Sequence, residues 1–352
     1  MILTRNISLL MLLGAASPLA AQDLAEADAE GREDIIVIGR AERLYRVEET
    51  TSGKLPTDPL ASSQSITVLT DDLIRDQGAR DGLRGDPYSG FSVPQTFNIQ
   101  RVEFLKGPAG MLYGQSAPGG LFNYISKKPA FDTAIEARAI AGTRSRFGGT
   151  VDATGPLSEK LAGRVAVFYE NSDDARWNAD NETLILDAGL TTDIGIGTLT
   201  LQATRYDIDL GGNRLRGVPT DDEGNFLADR RWNHNEASDF LWLKSNVAQA
   251  LLAVEPADNL KLDVGLRYID AKESQEYHEP RGLFDSDGDG KVDASIREFR
   301  DQFRTYESWS FGANAIWSAD LGQIGNRILA GMDYYQEDGS LNYYRARGRA
   351  SA

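Results

Sequence analysis

A glycine-rich stretch, residues 101–129, constrains the fold of this chain more than any other part of the sequence. Its pattern predicts a short apolar strand over 102–105, a second strand over 121–126, and a tight turn between the two. The stretch contains glycines at positions 107, 110, 114, 119 and 120. Because glycine permits positive φ angles and close approach between backbones, this density predicts a chain packed tightly against a neighbouring structure.

The same stretch resembles the end of the plug domain of TonB-dependent outer-membrane receptors, especially the ferric-siderophore receptors. The resemblance begins with Arg-Val-Glu at 101–103 and Lys-Gly-Pro at 106–108, and it closes with Lys-Lys-Pro at 127–129. The plug motif itself comprises Gly107, Pro108, Leu112, Tyr113, Gly114, Pro118, Gly119 and Gly120. The resemblance implies an α+β plug followed by the strands of an antiparallel transmembrane β-barrel. A glycine-rich turn in another type of β protein is the alternative.

Composition narrows the function further. The formal net charge of −16 and the pI near 4.7 disfavour nucleic-acid binding, which needs a basic face. The chain contains no cysteine, so disulfide frameworks and thiolate metal sites are excluded. No apolar run of about 18 residues follows the N-terminal segment, whereas the strands of a membrane barrel are only half apolar and escape this test.

The N-terminal part of the chain contains a predicted signal for export and a segment that resembles a TonB-binding motif. Residues 1–21 have a positive end, an apolar core and small residues at a cleavage point, which predicts a signal peptide, with a buried N-terminal helix as the alternative. Residues 22–53 form a predicted flexible leader. Within it, a β-prone run resembles the TonB box, which binds TonB of the ExbB/ExbD energy complex by strand addition: Asp34, Ile35, Ile36, Val37, Ile38 and Gly39. An ordinary first strand of the plug is the other interpretation.

The predicted plug domain spans residues 54–130. Residues 65–70 alternate as a strand, and 71–78 resemble a helix capped by Thr70 and ended by Gly78. In the resembling family, a further helix and a strand then precede an Asp-Gly-x-Arg motif. Here that motif follows almost at once, so the plug is expected to be shortened near 79–82, which would leave strand edges without neighbours.

Three charged residues alternate around the apolar strand of the plug: Arg101, Glu103 and Lys106. The resemblance implies that such charges pair with the inner barrel wall and lock the plug in place, since buried pairs fix register more than they add stability. Plain surface charge is the alternative.

Aromatic and basic residues supply candidate ligand contacts. The resemblance places the turn-rich segment 86–98 near the ligand, and aromatic rings offer rigid contact area for a flat iron complex. Predicted contacts are Tyr88, Phe91 and Phe97 in the plug and Trp232, Tyr277 and Arg281 in long loops. Packing of the plug aromatics against the barrel wall is the alternative.

Residues 131–352 read as the N-terminal part of a barrel domain. Candidate strands are 134–142, 148–154, 162–171, 183–192, 197–209, 242–254, 260–272, 305–319 and 327–338. Many exceed the usual soluble strand of about 5 to 6 residues and suit a membrane span of about 9 to 11. Short turns alternate with long polar loops, predicted over 172–182, 210–239 and 273–303, and Tyr206, Tyr268 and Trp309 are among the aromatics expected at the lipid boundary. A soluble β-sandwich is the alternative.

The strand count predicts an incomplete barrel, because about nine or ten strands stand against 22 in plugged transporters. An open sheet edge facing lipid leaves backbone groups without hydrogen bonds. We therefore read the chain as a fragment of a receptor or a truncated product. A small closed barrel of eight to ten strands is the alternative, although it would leave no lumen for a plug.

An acidic loop resembles the start of an EF-hand calcium site, with carboxylates at Asp285, Asp287, Asp289 and Asp293. Its twelfth position is Ile296, without the bidentate glutamate, so an acidic turn is the alternative. The two histidines, His234 and His278, are both predicted in long loops and are expected in solvent, with a metal-binding pair as the alternative.

Taken together, these patterns favour a bacterial outer-membrane receptor, embedded in lipid, that takes up a ferric siderophore by TonB-driven rearrangement of the plug. No catalytic triad, nucleophile elbow, P-loop or zinc motif occurs, so we expect no enzyme and no cofactor apart from the transported iron complex. A truncated, non-functional fragment and a TonB-dependent signalling receptor are the alternatives.

Overall fold

The computed structural model describes residues 50, 66–70, 96–107, 120–212, 217–321 and 324–350, with the backbone alone at 320, 321, 324 and 347–350. The described residues belong to the second of two units, Ala41–Ala352, the first being Met1–Arg40. Several predicted features lie outside the described residues: the signal peptide 1–21, the TonB-box candidate 34–39, the helix over 71–78, the junction 79–82 and the motif positions 108–119. Among the described residues, no helix has the length and apolar character needed to cross a membrane.

The first sheet has three antiparallel strands in chain order: β1 (Ile66–Thr70), β2 (Ile99–Lys106) and β3 (Gly120–Ser126). A 3₁₀ helix, Thr96–Asn98, leads directly into β2. Ile99 and Val102 are buried and pack against Leu69 of β1 and Tyr124 of β3. The three strands confirm the predicted plug strands, and β2 and β3 extend a few residues beyond the predicted bounds.

The second sheet has nine antiparallel strands, each paired with its neighbours in chain order, so that β4 and β12 are its edges. The strands are β4 (Ala134–Ala141), β5 (Phe147–Ser158), β6 (Leu161–Asp173), β7 (Asp180–Asp193), β8 (Gly197–Gly211), β9 (Phe240–Ala257), β10 (Leu260–Phe284), β11 (Ala294–Leu321) and β12 (Ile324–Ala350). All nine predicted strands are present. The described strands do not close into a barrel, as the strand count predicted.

Residues of the two faces of this sheet differ in chemistry. Val165 of β6 is 61% exposed and Leu201 of β8 is 47% exposed, whereas their sequence neighbours Arg164 and Gln202 are 4% and 6% exposed. Because successive side chains of a strand point to opposite faces, one face is apolar and exposed and the other is polar and covered. This inside-out alternation is that of a sheet whose outer face meets lipid.

The connections at the two ends of the sheet differ in length. At one end the strands are joined over 159–160, 194–196, 258–259 and 322–323, and at the other over 142–146, 174–179, 212–239 and 285–293. The predicted asymmetry is therefore present, but the predicted loop 273–303 is wrong. Most of it is strand, because β10 and β11 pair without interruption from Leu260 to Pro280 and resume at Gly282. With 25 and 28 residues, these strands extend well beyond a span of about 9 to 11 residues.

Candidate functional site

The predicted plug-lock residues lie on β2, where Glu103 is completely buried. Arg101 Nε donates to Glu103 Oε1 at 2.9 Å, and Asn123 Nδ2 of β3 donates to Glu103 Oε2 at 3.3 Å. Lys106 is exposed, with Nζ 5.9 Å from the centre of the Phe104 ring. These contacts lie within the three-stranded sheet and fix its register. Pairing of the three charges with the barrel wall stays a prediction.

The described glycines of the plug motif are Gly107 and Gly120, both with positive φ, at 91° and 127°. A Cβ added at Gly120 would lie 2.2 Å from the carbonyl oxygen of Leu105. The predicted reason for glycine in this stretch, close approach between backbones, is therefore confirmed at this position. The other motif residues lie outside the described part of the chain.

The plug meets the barrel wall through residues to which sequence reasoning assigned no wall contact. Asn98, at the end of the 3₁₀ helix, donates from Nδ2 to Tyr206 Oη at 2.9 Å and to Asp187 Oδ2 at 3.2 Å. Lys127, just after β3, accepts at its carbonyl oxygen from Gln202 Nε2 at 2.6 Å, and its Nζ lies 3.4 Å from Asp152 Oδ2. Tyr206 was expected at the lipid boundary, and this is wrong, because it faces the plug.

The wall side of this contact is organised by Arg164 of β6, which is almost fully buried. Its guanidinium binds Asp152 in bidentate fashion, at 2.8 Å from Nε and 2.9 Å from Nη2, and Nη1 also donates to Asp187. Thr204 Oγ1 donates to Asp187 Oδ2 at 2.6 Å. Planar bidentate pairing of this kind is the strongest form of arginine–carboxylate contact. One signal in the sequence could have revealed this cluster. Single charged residues occupy inward positions of strands whose outward positions are apolar.

Among the predicted ligand contacts of the plug, Phe97 is described. Its ring lies 5.6 Å from that of Phe168 on β6 and 5.7 Å from Lys127 Nζ. It therefore packs against the wall, and a ligand contact at this residue stays a prediction. Tyr88 and Phe91 lie outside the described residues.

The structure brings Tyr277 and Arg281 together through one network, although both lie in β10 and not in a loop as predicted. Tyr277 Oη accepts from Arg300 Nη1 at 3.2 Å, and Arg300 Nε donates to Glu298 Oε1 at 2.9 Å. Arg281 Nη2 donates to the same Glu298 oxygen at 2.7 Å. Tyr277 and Glu298 are fully buried, while the Arg281 side chain is partly exposed. Both side chains lie on the inward face of the sheet. They belong to the part of β10 and β11 that continues beyond the last pair with β9, Glu276 with Phe240, which we call the tall part of the sheet.

Trp232 lies in the loop over 212–239, as predicted, and is held there by both of its backbone polar groups. Its N–H donates to the Asp229 carbonyl oxygen at 2.8 Å, and its carbonyl oxygen accepts from Arg176 Nη1 at 3.0 Å. The neighbouring His234 is buried, which corrects the expectation that it is in solvent. Trp232 is thus held by its own loop and by Arg176.

His278 also differs from its predicted position, because it lies in β10 and is half-buried. Its backbone N–H and its Nδ1 both contact the buried carboxylate of Asp239, each at 2.8–2.9 Å. Arg297 Nη1 of β11 donates to the His234 carbonyl oxygen at 2.9 Å. The loop 217–239 is thus fastened to the tall strands at two places.

The acidic loop between β10 and β11 brings Asp285, Asp287 and Asp289 together, with one carboxylate oxygen of each within 4.8 Å of the others. Asp285 accepts from the N–H groups of Gly290 and Gly288 at 2.6 and 2.7 Å. These bonds hold the pKa of the Asp285 carboxyl below its usual value. Asp293 instead accepts from Ser286. Strands flank the loop where an EF-hand has helices, and calcium binding stays a prediction.

Comparison with known proteins identifies the first sheet. Residues 62–121 match the TonB-dependent Receptor Plug Domain family. The catecholate siderophore receptor Fiu of Escherichia coli strain UTI89 is 26% identical over 249 residues, which cover 58% of this chain and 32% of the receptor. The ferrioxamine B receptor of Salmonella typhimurium strain SL1344 is 26% identical over 277 residues, covering 76% and 39% respectively.

The fold agrees with that of solved receptors. The ferric-catecholate import receptor Fiu from E. coli K12, in its open form, matches with a TM-score of 0.76 at 20% identity, over 84% of this chain and 52% of that structure. The chain thus spans less than half of the length of the curated relatives named here and about half of the solved structure. Residues 62–121 thus match the plug domain of the TonB-dependent receptors, and the nine antiparallel strands that follow belong to a fold shared with solved siderophore receptors.

Proposed function

We propose that the protein is a TonB-dependent receptor that binds a ferric siderophore outside the cell and passes it to the periplasm. The observation that carries this proposal is the attachment of the plug strands to the inner wall. Asn98 and Lys127 bind polar side chains on the covered face of a sheet whose other face is apolar and exposed. A plug held on the inner face of a lipid-facing sheet suits the controlled passage of a solute better than it suits adhesion or catalysis.

The ligand class follows from the relatives and from the inward face of the tall strands. The relatives compared above are named as receptors for catecholate siderophores and for ferrioxamine B. Tyr277 and Arg281 bring an aromatic ring and a partly exposed guanidinium to one network on β10. Tyr277 is buried and holds Arg300, whereas the partly exposed guanidinium of Arg281 suits an anionic iron chelate. We propose that Arg281 contacts this ligand directly.

The energy for release comes, in this proposal, from TonB with ExbB and ExbD. Residues 34–39 lie ahead of the plug and have the β-branched character that favours strand addition. In strand addition, main-chain hydrogen bonds supply the affinity, so a proline within the run removes one donor and weakens the contact. Binding of ligand does not need this contact, whereas transport does.

The test uses the full-length receptor expressed in an iron-starved strain that lacks its own catecholate and hydroxamate receptors. Uptake of ⁵⁵Fe-loaded catecholate siderophore is measured for the wild type, for Ile36→Pro and for the matched control Ala27→Pro. We expect Ile36→Pro to lose at least tenfold in uptake while surface binding of the iron complex is kept. Uptake that is unchanged by Ile36→Pro, or absent in the wild type for catecholate and hydroxamate complexes alike, contradicts the proposal.

A further inference from the structure

An alternating run of arginines lies at the end of β12. Residues 344–350 read Tyr-Arg-Ala-Arg-Gly-Arg-Ala, and β12 pairs with β11 through this run without a register shift. Position 345 lies opposite Arg300, and position 347 lies opposite Glu298. Because opposite residues of paired strands and alternate residues of one strand share a face, the three arginine positions lie on the face that carries Arg300 and Glu298. We call them the arginine row: Arg345, Arg347 and Arg349.

This face is the inward one, and the row lies farther from the short turns than the contact between plug and wall. From Asp187, which accepts from Asn98 of the plug, successive register pairs across the sheet lead to Ser308 of β11. Arg300 lies beyond Ser308 on the same strand, towards the long connections. In outer-membrane sheets the long connections are extracellular. A solute that arrives from outside therefore meets the row before it meets the plug.

The other arginines of the tall part are already paired with carboxylates. Arg281 Nη2 and Arg300 Nε donate to Glu298 Oε1 at 2.7 and 2.9 Å, and Arg300 Nη1 lies 3.8 Å from Glu279 Oε2. Arg345 is exposed, and no ion pair joins it to another residue that the structure describes. With the row included, five arginine positions stand against these two carboxylates on the inward face of the tall part. The row therefore adds positive charge that the described carboxylates of the tall part do not offset.

An aromatic ring lies beside the row. Tyr343 precedes Arg345 by two residues, so both occupy the inward face, and Tyr343 is 44% exposed. Guanidinium groups and aromatic rings both stack on flat conjugated rings. The face thus offers positive charge and a stacking surface together, which is the chemistry that binds an anion built from planar rings.

We infer that the arginine row determines which iron complexes the receptor accepts, and that it selects anionic ferric catecholates over ferric hydroxamates. In a ferric tris-catecholate each ring carries two negative charges, so the complex stays anionic, whereas three hydroxamates only balance the charge of ferric iron. The relatives compared above include a receptor for catecholate siderophores and one for ferrioxamine B, so they leave this choice open. The inference rests on the proposed function, because it names the ligand class of the same receptor.

Selection acts through the field of the row as well as through contact. Arginine stays protonated at physiological pH and is weakly hydrated, so it exchanges water for an anion at low cost. A cluster of like charges raises the local concentration of oppositely charged solutes and speeds their association, and salt screens this effect. The carboxylates of the acidic loop 285–293 instead accept from groups of their own loop.

The test measures binding to the purified full-length receptor by quenching of tryptophan fluorescence. The two probes are the ferric complex of a synthetic tris-catecholate and ferrioxamine B. The neutral variant is Arg345→Gln/Arg347→Gln/Arg349→Gln, and Arg345→Lys/Arg347→Lys/Arg349→Lys keeps the charge. The matched control is Arg205→Gln, which removes an arginine from the outward face of β8, where it pairs with Asp207 at 3.3 Å.

We expect the neutral variant to bind the ferric catecholate at least tenfold more weakly than the wild type, and ferrioxamine B within twofold of it. The association rate of the catecholate should also depend less on salt in the neutral variant, because fewer charges are screened. The lysine variant should keep most of the catecholate affinity, since it keeps the charge, and Arg205→Gln should match the wild type for both probes.

Three results overturn the inference while the proposed function stands. They are unchanged catecholate binding in the neutral variant, an equal loss for both probes, and a wild type that prefers ferrioxamine B. Failure of the wild type to bind either iron complex contradicts the proposed function as well.

Discussion

At the scale of single residues, Gly120 shows how the backbone of one residue fixes the register of a strand. Its φ of 127° lies in the region that favours glycine, and its Cα faces the Leu105 carbonyl oxygen of β2 closely. The register that follows, Lys106 with Gly120 and Leu105 with Leu121, places Glu103 opposite Asn123. The hydrogen bond from Asn123 to the buried Glu103 carboxylate therefore depends on the backbone at Gly120.

Replacement of this glycine is expected to destabilise the plug. Gly120→Ala puts a Cβ 2.2 Å from the Leu105 carbonyl oxygen, so β3 must shift or the backbone must carry strain of about 1–3 kcal/mol. The measurement is urea unfolding of the plug in the purified receptor, followed by hydrogen exchange of the β2 and β3 amides. Gly282→Ala is the control, since a Cβ there meets no heavy atom within 4 Å. Equal stability of both variants would show that the approach at Gly120 is not limiting.

At the scale of elements, the alternation of side chains along a strand decides which residues face the plug and which face outward. In β6, Arg164 faces the plug and Val165 faces outward, and in β7 Asp187 and Leu186 divide in the same way. The strands β10 and β11 continue past this region and carry the loop 217–239 on their tall part. That loop is fastened by Asp239 to His278 and by Arg297 to the His234 carbonyl oxygen.

Loss of the Asp239 carboxylate is expected to loosen this loop. Asp239→Ala removes the acceptor of two donors of His278, the backbone N–H and the ring nitrogen, in a buried position. Limited trypsin digestion of the receptor then cleaves at Arg230 and Arg231 at least fivefold faster than in the wild type. The control variant Asp222→Ala alters an exposed aspartate of the same loop and should leave the rate unchanged. An unchanged rate in Asp239→Ala would place the restraint elsewhere.

At the scale of the whole described chain, the two sheets have complementary surfaces. The polar face of the nine-stranded sheet meets the plug through Asp152, Arg164 and Asp187, while the opposite face is apolar and exposed. An arrangement with charged side chains inside and apolar side chains outside is stable in lipid, whereas the same arrangement would be unfavourable in water. We therefore expect the effect of an outward-facing charge on the free energy of unfolding to depend on the depth of that residue in the bilayer.

A charge on the outward face tests this expectation. Leu201→Arg places a guanidinium among exposed apolar residues of β8, at about 2–4 kcal/mol if the site lies near mid-depth of the bilayer. Leu227→Arg is the matched control, because Leu227 is also exposed but lies in the loop 217–239. Both variants are unfolded in lipid vesicles by denaturant, and the midpoints are compared. A small effect of Leu201→Arg, equal to that of Leu227→Arg, would contradict a lipid-facing position.

The sequence by itself determined the need for glycine at position 120, because positive φ is a local property of the backbone. It also determined the three plug strands and the nine strands after them, because the periodicity of a strand is local too. The polar side of the sheet is also written in the sequence, since alternation with period two runs along each strand, but no prediction was drawn from this signal. The sequence did not determine where β10 and β11 end, because polar residues such as Glu273 and Gln302 suit a loop until a neighbouring strand pairs with them. Only the tertiary structure decided that Asn98, Lys127, Arg164 and Asp187 lie together where the plug meets the wall, since hydrogen bonds between residues up to 89 positions apart leave no pattern in the sequence.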